Sequence, residues 1–454
     1  MENQEALRDE SISKLIWKYS VPAILAMMVT SIYNTVDRAF IGSMENVGAL
    51  AISGLGITMP LFTILGAFCV AIGVGGSTNL SIKLGEGNKE EAEKVMGTTV
   101  ALELVVGIIM VLIGIFFLDE ILYLFGASEN TLFYAKQYIT VILCGCTFNI
   151  LSFALNSTVR ADGNPKLASI TMVIGCGTNI ILDYLFVFVL NIGIKGAAFA
   201  TVISQAVTAL WGISYYLRGK SNLKFRKSSL KLNKNIGLQV LKLGIPAGFQ
   251  NSIFAIANLF IQSGVNSLPK IMVDGNSAAA NADALIYDVM AAFYVGCSTF
   301  TAQNYGAKNK SRVMKSYLVS LTYSFGAGLI LGILLVAFGR QFLSLFTNSS
   351  EVIDAGMKRI MIMGFSYGFC ALMDNSIAGS RGLGKTIVPT IIVITGSCVF
   401  RIIWIYTIFA HFKTIPSLYL LYIFSWLITG IAEFIYFISV YKKAIKEMET
   451  IENN

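Results

Sequence analysis

The sequence predicts an all-α membrane protein: twelve transmembrane helices in two six-helix bundles, related by a pseudo-two-fold axis along the membrane normal. Three observations lead to this fold class. Of the 454 residues, 55% are hydrophobic and 13% charged, with a mean hydropathy of +0.69, whereas soluble domains carry about 25% charged residues. Apolar runs of membrane-spanning length recur along the whole chain. The second half of the sequence also repeats the first.

The apolar runs define twelve spans. Backbone polar groups in lipid must be paired within the segment, so each run is predicted to be a helix. The spans are predicted at 15–40, 47–82, 95–118, 132–158, 168–190, 196–217, 238–264, 278–303, 316–338, 357–380, 387–410 and 416–440.

The internal repeat is visible in two long matches at the same separation. Gly85–Met96 aligns with Gly306–Tyr317, and Phe117–Ile139 aligns with Phe338–Ile360. Six spans, an even number, make up each repeat, so both repeats cross the membrane in the same sense. This is the parallel-repeat plan of many secondary transporters, in which two similar bundles alternately open a cleft to either side.

The chain is therefore divided into an N-terminal lobe at 1–217, a basic linker at 218–237 and a C-terminal lobe at 238–454.

The N-terminal segment lacks the basic region and cleavage site of a secretory signal, so the first span is expected to be retained. Most of the 34 Lys and Arg residues fall in the tails and the even-numbered loops, which the positive-inside rule places in the cytoplasm together with both termini. The linker is the most basic loop, with Arg218, Lys220, Lys224, Arg226, Lys227, Lys231 and Lys234.

Two aspartates within apolar spans are the main candidates for a functional site. A carboxylate at the bilayer centre costs about 2.5–3.5 kcal/mol on insertion scales, so Asp37 and Asp183 are predicted to bind an ion or a proton. Asn34 shares a helix face with Asp37, and Asn179 shares one with Asp183. Thr201 in the sixth span adds a hydroxyl. Converging oxygen ligands of this kind suit a small hard cation such as Na⁺, and two nearby carboxylates also favour a shared proton. The alternative is that these groups pair only to fix helix packing.

Charged residues also occur within spans of the second half. Asp288 and Asp374 are candidates for a substrate cleft that attracts cations. The alternative is structural: Asp374 forms an ion pair with Arg401, and the side chain of Asp288 either pairs locally or extends to the membrane–water interface.

Other chemistries have little support. Gly379–Thr386 matches the phosphate-loop pattern, but an apolar helix precedes it instead of a strand, so nucleotide binding is rejected. The chain has one histidine, His411, and its seven cysteines form no CxxC pair. Neither a catalytic metal centre nor histidine-based catalysis is expected, and the protein is predicted not to be an enzyme. The net charge of +8 is accounted for by the cytoplasmic loops without nucleic acid.

Taken together, these residues resemble the multidrug and toxic compound extrusion (MATE) family, in its prokaryotic branch, over essentially the whole chain. The most specific stretches are Asn34–Gly42 (NTVDRAFIG), Ser157–Lys166 (STVRADGNPK), Thr178–Ser204 and Phe300–Asn309. The resemblance implies export of cationic amphipathic compounds in exchange for Na⁺ or H⁺, with no cofactor. It assigns the family's N-lobe cation site to Asp37, Asn179, Asp183 and Thr201.

The resemblance also implies that Pro22 is the family's first-span proline, linked to helix bending, and that Asn156 lines the lobe. One feature departs from the pattern, because some branches carry an essential glutamate in the seventh span. Gly244–Gln262 contains no acidic residue here, which favours coupling at the N-lobe site.

The expected function is antiport-driven multidrug efflux, and hence antibiotic resistance, by a monomer in the cell (inner) membrane. Cationic small molecules and the lipid bilayer are the expected partners. The nearest alternative is a lipid or lipid-linked oligosaccharide flippase of the same superfamily. A basic cavity for phosphates would favour that alternative, but intramembrane Lys and Arg are scarce. A channel would need a repeated pore loop, and an intramembrane enzyme a catalytic constellation; the sequence shows neither.

Overall fold

The computed structural model describes residues 10–44, 47–218, 221, 223 and 230–452. The linker residues Lys220, Lys224, Arg226 and Lys227 lie outside the described residues. The described residues form helices and short connections, with no strand among them. The helices are α1 (Ile12–Gly42), α2 (Gly48–Gly85), α3 (Lys89–Phe116), α4 (Leu118–Leu124), α5 (Glu129–Ala161), α6 (Pro165–Val189), α7 (Ile194–Leu217), α8 (Lys234–Asn266), α9 (Lys270–Gly306), α10 (Lys310–Leu343), α11 (Ser350–Met363), α12 (Tyr367–Gly382), α13 (Ile387–Phe412) and α14 (Ile415–Glu452).

The predicted all-α membrane fold is confirmed. Within the described residues, eleven helices are long and apolar enough to cross a membrane, and a twelfth span results if α11 and α12 count as one broken span. These two helices are bent by 54° at the break between Met363 and Tyr367. The tenth span was predicted at 357–380, but its first helix begins earlier, at Ser350. The start was missed because one face of α11 is charged, so its sequence does not read as an apolar run.

The repeat reappears as matching local structure. The turn before α3 ends with Asn88, whose side chain accepts a hydrogen bond from Glu91 N at 3.1 Å. The turn before α10 ends with Asn309, which accepts from Arg312 N at 3.1 Å. These are N-caps, which satisfy free backbone donors at helix starts. Gly87 and Lys308, at equivalent positions, both have positive φ angles, of 73° and 56°. The aligned loops therefore share one conformation as well as one sequence pattern.

The chain forms two compact units. The N-terminal unit is Leu25–Asn251, and the C-terminal unit comprises the described residues of Arg8–Ile24 and Ser252–Asn454. Both α1 and α8 therefore contribute to each unit. Each of these helices contains a proline shortly before the change of unit, Pro22 in α1 and Pro246 in α8. Proline removes a backbone hydrogen bond and kinks a helix, so these two helices bend most easily near the point where they pass between units.

Close backbone packing surrounds the break in the tenth span. A Cβ atom on Gly332 of α10 would lie 1.8 Å from the carbonyl oxygen of Gly364, which is in the break itself. No side chain fits there without moving α10 away. Gly326, in the same helix, has nothing within 4 Å of the corresponding position.

Replacing Gly332 with alanine is therefore expected to destabilise the protein by about 2–3 kcal/mol, the usual cost of overpacking a tight contact. The measurement is the free energy of unfolding by detergent titration in mixed micelles. Gly326→Ala is the matched control, and it should be neutral or slightly stabilising because alanine favours a helix by roughly 0.5–1 kcal/mol over glycine. Equal stabilities for the two variants would contradict the close packing at the break.

Candidate functional site

The centre of the candidate site is the last α-helical turn of α6. Asn179 and Asp183 lie one turn apart and are 1% and 0% exposed. Immediately after Asp183, residues Tyr184–Val189 form a π-helical turn. Such turns are rare and occur frequently at functional sites. A π-helical segment also occurs in α13 of the second repeat, at Ile405–Phe409.

Asn179 connects Asp183 to α7. With its amide nitrogen facing the carboxyl group, Asn179 donates to Asp183 Oδ2 at 2.8 Å, and its oxygen accepts from the backbone N–H of Thr201 at 3.2 Å. The hydroxyl of Thr201 donates to the carbonyl oxygen of Ala197 at 3.1 Å. Three residues predicted from the sequence are thus adjacent, and the amide orientation follows from the hydrogen-bond network around it.

Asp37 approaches the same point from α1. Its partly buried side chain lies close enough to that of Asp183 for the two carboxyl groups to interact. Two ionised carboxylates in contact repel each other, so this arrangement favours a shared proton or a cation bound by both. Each aspartate also keeps a buried Oδ1 with no hydrogen-bond partner among the described residues. The pair therefore has the free acceptor atoms to bind a proton or a small cation.

Two tyrosines near the aspartates were missed in the sequence analysis. Tyr33 lies one helical turn before Asp37 and interacts electrostatically with Asp37 and Asp183. Tyr138 of α5 is 3% exposed, and its side chain interacts with Thr201 and Asp37. The spacing to Asp37 was a usable signal for Tyr33. For Tyr138 no spacing rule applies, because it reaches the site from another helix.

The supporting residues have different positions. Asn34 is exposed on α1. Asn156 is 8% exposed and joins α5 to α6, since its amide donates to Ala168 O at 2.6 Å and to Thr171 Oγ1 at 3.2 Å. Pro22 lies within α1, in the part that belongs to the C-terminal unit.

In the C-terminal unit, Asp374 and Arg401 use different hydrogen-bond partners. Asp374 accepts from Cys370 Sγ at 3.6 Å and interacts with the side chain of Tyr287. Arg401 donates from Nε to Ser425 Oγ at 2.9 Å, and its guanidinium lies 4.8 Å from the ring centre of Tyr422. The two charges still attract each other electrostatically. Asp288 is partly buried on α9.

The described residues contain no cluster of three or more His, Cys, Asp or Glu side chains suited to a metal. The oxygen atoms of Asp37 and Asp183, with the Asn179 amide and the Thr201 hydroxyl, are instead the hard donors that Na⁺ accepts.

Comparison with known proteins agrees with this architecture. The MatE family model matches residues 22–185 and 246–407, so each half of the chain matches it once. The chain belongs to the MatE family. This confirms the resemblance seen in the sequence, and because members are transporters, the protein is not an enzyme. The two matches begin at Pro22 and Pro246, the prolines of α1 and α8.

Curated relatives with similar sequences include two bacterial proteins. The chain is 27% identical to "Multidrug export protein MepA" of Staphylococcus haemolyticus, over 84% of each chain. It is also 27% identical to "Probable multidrug resistance protein YoeA" of Bacillus subtilis, over 86% of each chain. Among solved structures, one described as an outward-facing multidrug resistance MATE family transporter superposes with a TM-score of 0.91 at 23% identity, covering 98% of this chain and 99% of that one. At this identity the structural similarity shows the fold alone.

Proposed function

We propose that the protein exports cationic amphipathic compounds from the cell in exchange for Na⁺ or H⁺ bound at Asp37 and Asp183. The observation that carries this proposal is the contact between two carboxyl groups on membrane-spanning helices, each with a free buried oxygen. Such residues are costly in a membrane and mark ion pathways. The names of the bacterial relatives support multidrug export as the activity.

The amide of Asn179 gives the site a means of responding to the ion. When the aspartates share a proton, the amide nitrogen donates to Asp183, as in the preferred orientation. A Na⁺ ion between the carboxylates requires oxygen ligands, so the amide turns to present its oxygen. One side chain thus serves either coupling ion.

Export follows if ion and substrate prefer different states of the transporter. We propose that the ion enters from outside and neutralises the carboxylates, which lowers the affinity for a cationic substrate, and that both lobes then rock to return the ion inward. Coupling requires only that the two ligands differ in preference between the states.

The lobes proposed are 1–217 and 238–454, in a monomer of the cell membrane with both termini in the cytoplasm. Asp288 and Asp374 are proposed for the substrate cleft.

The experiment is transport of a fluorescent cation in proteoliposomes, with Na⁺ and proton gradients imposed separately. With at least one of the two gradients imposed, the dye should move roughly ten times faster than with both gradients collapsed. A tenfold effect lies within the usual range of coupling free energies. Protein-free liposomes and ionophores specific for each ion are the controls. Movement of an anionic lipid-linked sugar, with no gradient-driven dye movement, would favour the flippase alternative and refute the exporter.

A further inference from the structure

A second buried carboxyl group lies in the N-terminal unit, away from the aspartates on α1 and α6. Glu103 is near the middle of α3 and is 0% exposed. Neither of its carboxyl oxygens has a hydrogen-bond partner among the described residues. A buried polar group of this kind is costly and requires an explanation.

Among the described residues, no positively charged side chain compensates the carboxyl group of Glu103. Two titratable groups of the described residues face it, Cys69 from α2 and Tyr216 from α7. The thiol of Cys69 is directed to Asn149 Oδ1 at 3.8 Å. An ionised carboxylate without a partner in an apolar interior is strongly unfavourable. The environment therefore favours the protonated carboxylic acid in this conformation.

The second repeat shows that packing alone does not require an acid here. The position equivalent to Glu103 is Ser324, which is 1% exposed and donates to the carbonyl oxygen of Met290 at 3.3 Å. Met290 in turn is the equivalent of Cys69. The same helix pair thus packs with a small neutral residue in the other half of the chain, so the carboxyl group of Glu103 calls for a role other than packing.

A row of proton-bearing groups lies between Glu103 and one end of the bundle. Tyr216 is 2% exposed and interacts electrostatically with both Glu103 and Asp162. Asp162, in the turn between α5 and α6, accepts hydrogen bonds from Tyr215 Oη at 2.7 Å and Ser221 Oγ at 2.6 Å. Ser221 follows α7 at the start of the linker, so the row ends where the chain leaves the bundle.

We propose that Glu103 is a proton-binding site, separate from the Asp37–Asp183 pair, that exchanges its proton with the linker end of the bundle through Tyr216 and Asp162. Binding converts the carboxylate to the carboxylic acid by adding one proton to oxygen. Release passes that proton to the next acceptor along the row. The ligand is H⁺ alone, and the exchange involves no redox partner.

The test is infrared difference spectroscopy of the full-length protein in lipid, recorded as a function of pH. The wild type should show a carboxylic-acid carbonyl band that disappears as the pH rises. Glu103→Gln should lose this band, whereas Glu433→Gln, which replaces a buried carboxyl group of the C-terminal unit, should keep it. If Glu103→Gln still showed every titrating carboxyl band of the wild type, Glu103 would not be a proton-binding site. If the glutamine variant does not fold, Glu103→Ser replaces it in the experiment, because serine is the residue at the equivalent position of the second repeat. This variant should also lose the band.

The proposed route is tested by the rate at which that band shifts on transfer to D₂O. Tyr216→Phe and Asp162→Asn should keep the band but slow its exchange by roughly a hundredfold, because each removes a positioned proton carrier. Unchanged exchange in both variants would overturn the route. These readouts do not depend on substrate transport, so the inference stands or falls separately from the antiport proposal.

Discussion

Replacing Asp183 with asparagine is expected to reduce gradient-driven efflux by roughly 10- to 100-fold, in line with typical coupling free energies. Asparagine has nearly the same shape but carries neither a charge nor a titratable proton. The ion then no longer competes with a cationic substrate for the site. Because the side chain is 0% exposed and bound to Asn179, the variant keeps a hydrogen-bonding group at the same place. The measurement is dye efflux in proteoliposomes under separate Na⁺ and proton gradients.

A carboxylate outside the site provides the matched control. Asp119 of α4 pairs with Lys136 at 2.7 Å, and both side chains are 49% exposed. An exposed ion pair contributes at most about 1 kcal/mol, so Asp119→Asn should transport like the wild type. Asp37→Asn should behave like Asp183→Asn, since the two carboxyl groups act together. If Asp183→Asn transported as fast as the wild type under both gradients, the carboxylate mechanism would be wrong.

The fold was largely predictable because lipid constrains it so strongly. A long apolar run has few alternatives to a helix, and the repeat supplied a second copy of each signal. The break in the tenth span was not predicted. The span was predicted to begin at residue 357, whereas helix α11 begins at Ser350 and places Arg359 in the interior, 7% exposed. Sequence patterns give the cost of burying a charge but do not identify a partner on another helix.

The candidate site was predicted only in part, because the sequence shows which residues share a helix face but not which helices pack together. Asn179 and Asp183 are four residues apart on one helix, so their shared face follows from helical geometry. Their contact with Asp37 depends on tertiary packing, and so does the position of Tyr138. Glu103 is a different case: an acid within an apolar span was a visible signal of the same kind as Asp183, and the sequence analysis overlooked it.

Arg359 is the centre of a buried network in the C-terminal unit. Its guanidinium donates to Asn276 Oδ1 and forms an ion pair with Asp283 Oδ2, and the hydroxyl of Tyr367 donates to Asp283 Oδ1. The guanidinium also lies 5.2 Å from the ring centre of Tyr419. Arg359 is on α11 and Tyr367 begins α12, so Asp283 of α9 connects the two sides of the break.

Substituting methionine for Arg359 is therefore expected to destabilise the protein by about 3–5 kcal/mol, because Asp283 is left as an uncompensated buried charge. The measurement is the free energy of unfolding by detergent titration. Arg340→Met is the matched control, since Arg340 pairs with Asp354 at 2.6 Å with both side chains more than half exposed, and its loss should cost at most about 1 kcal/mol.

A double variant separates the ion pair from simple packing. Adding Asp283→Asn to Arg359→Met removes the unpaired charge, so part of the lost stability should return, and the two substitutions should be non-additive by roughly 0.5–3 kcal/mol. Strict additivity would mean that the two residues do not act as a pair. If Arg359→Met cost no more than Arg340→Met, the network would not hold the broken helix to α9. The bend would then depend on the Gly332–Gly364 backbone contact, and Gly332→Ala would be the more damaging change.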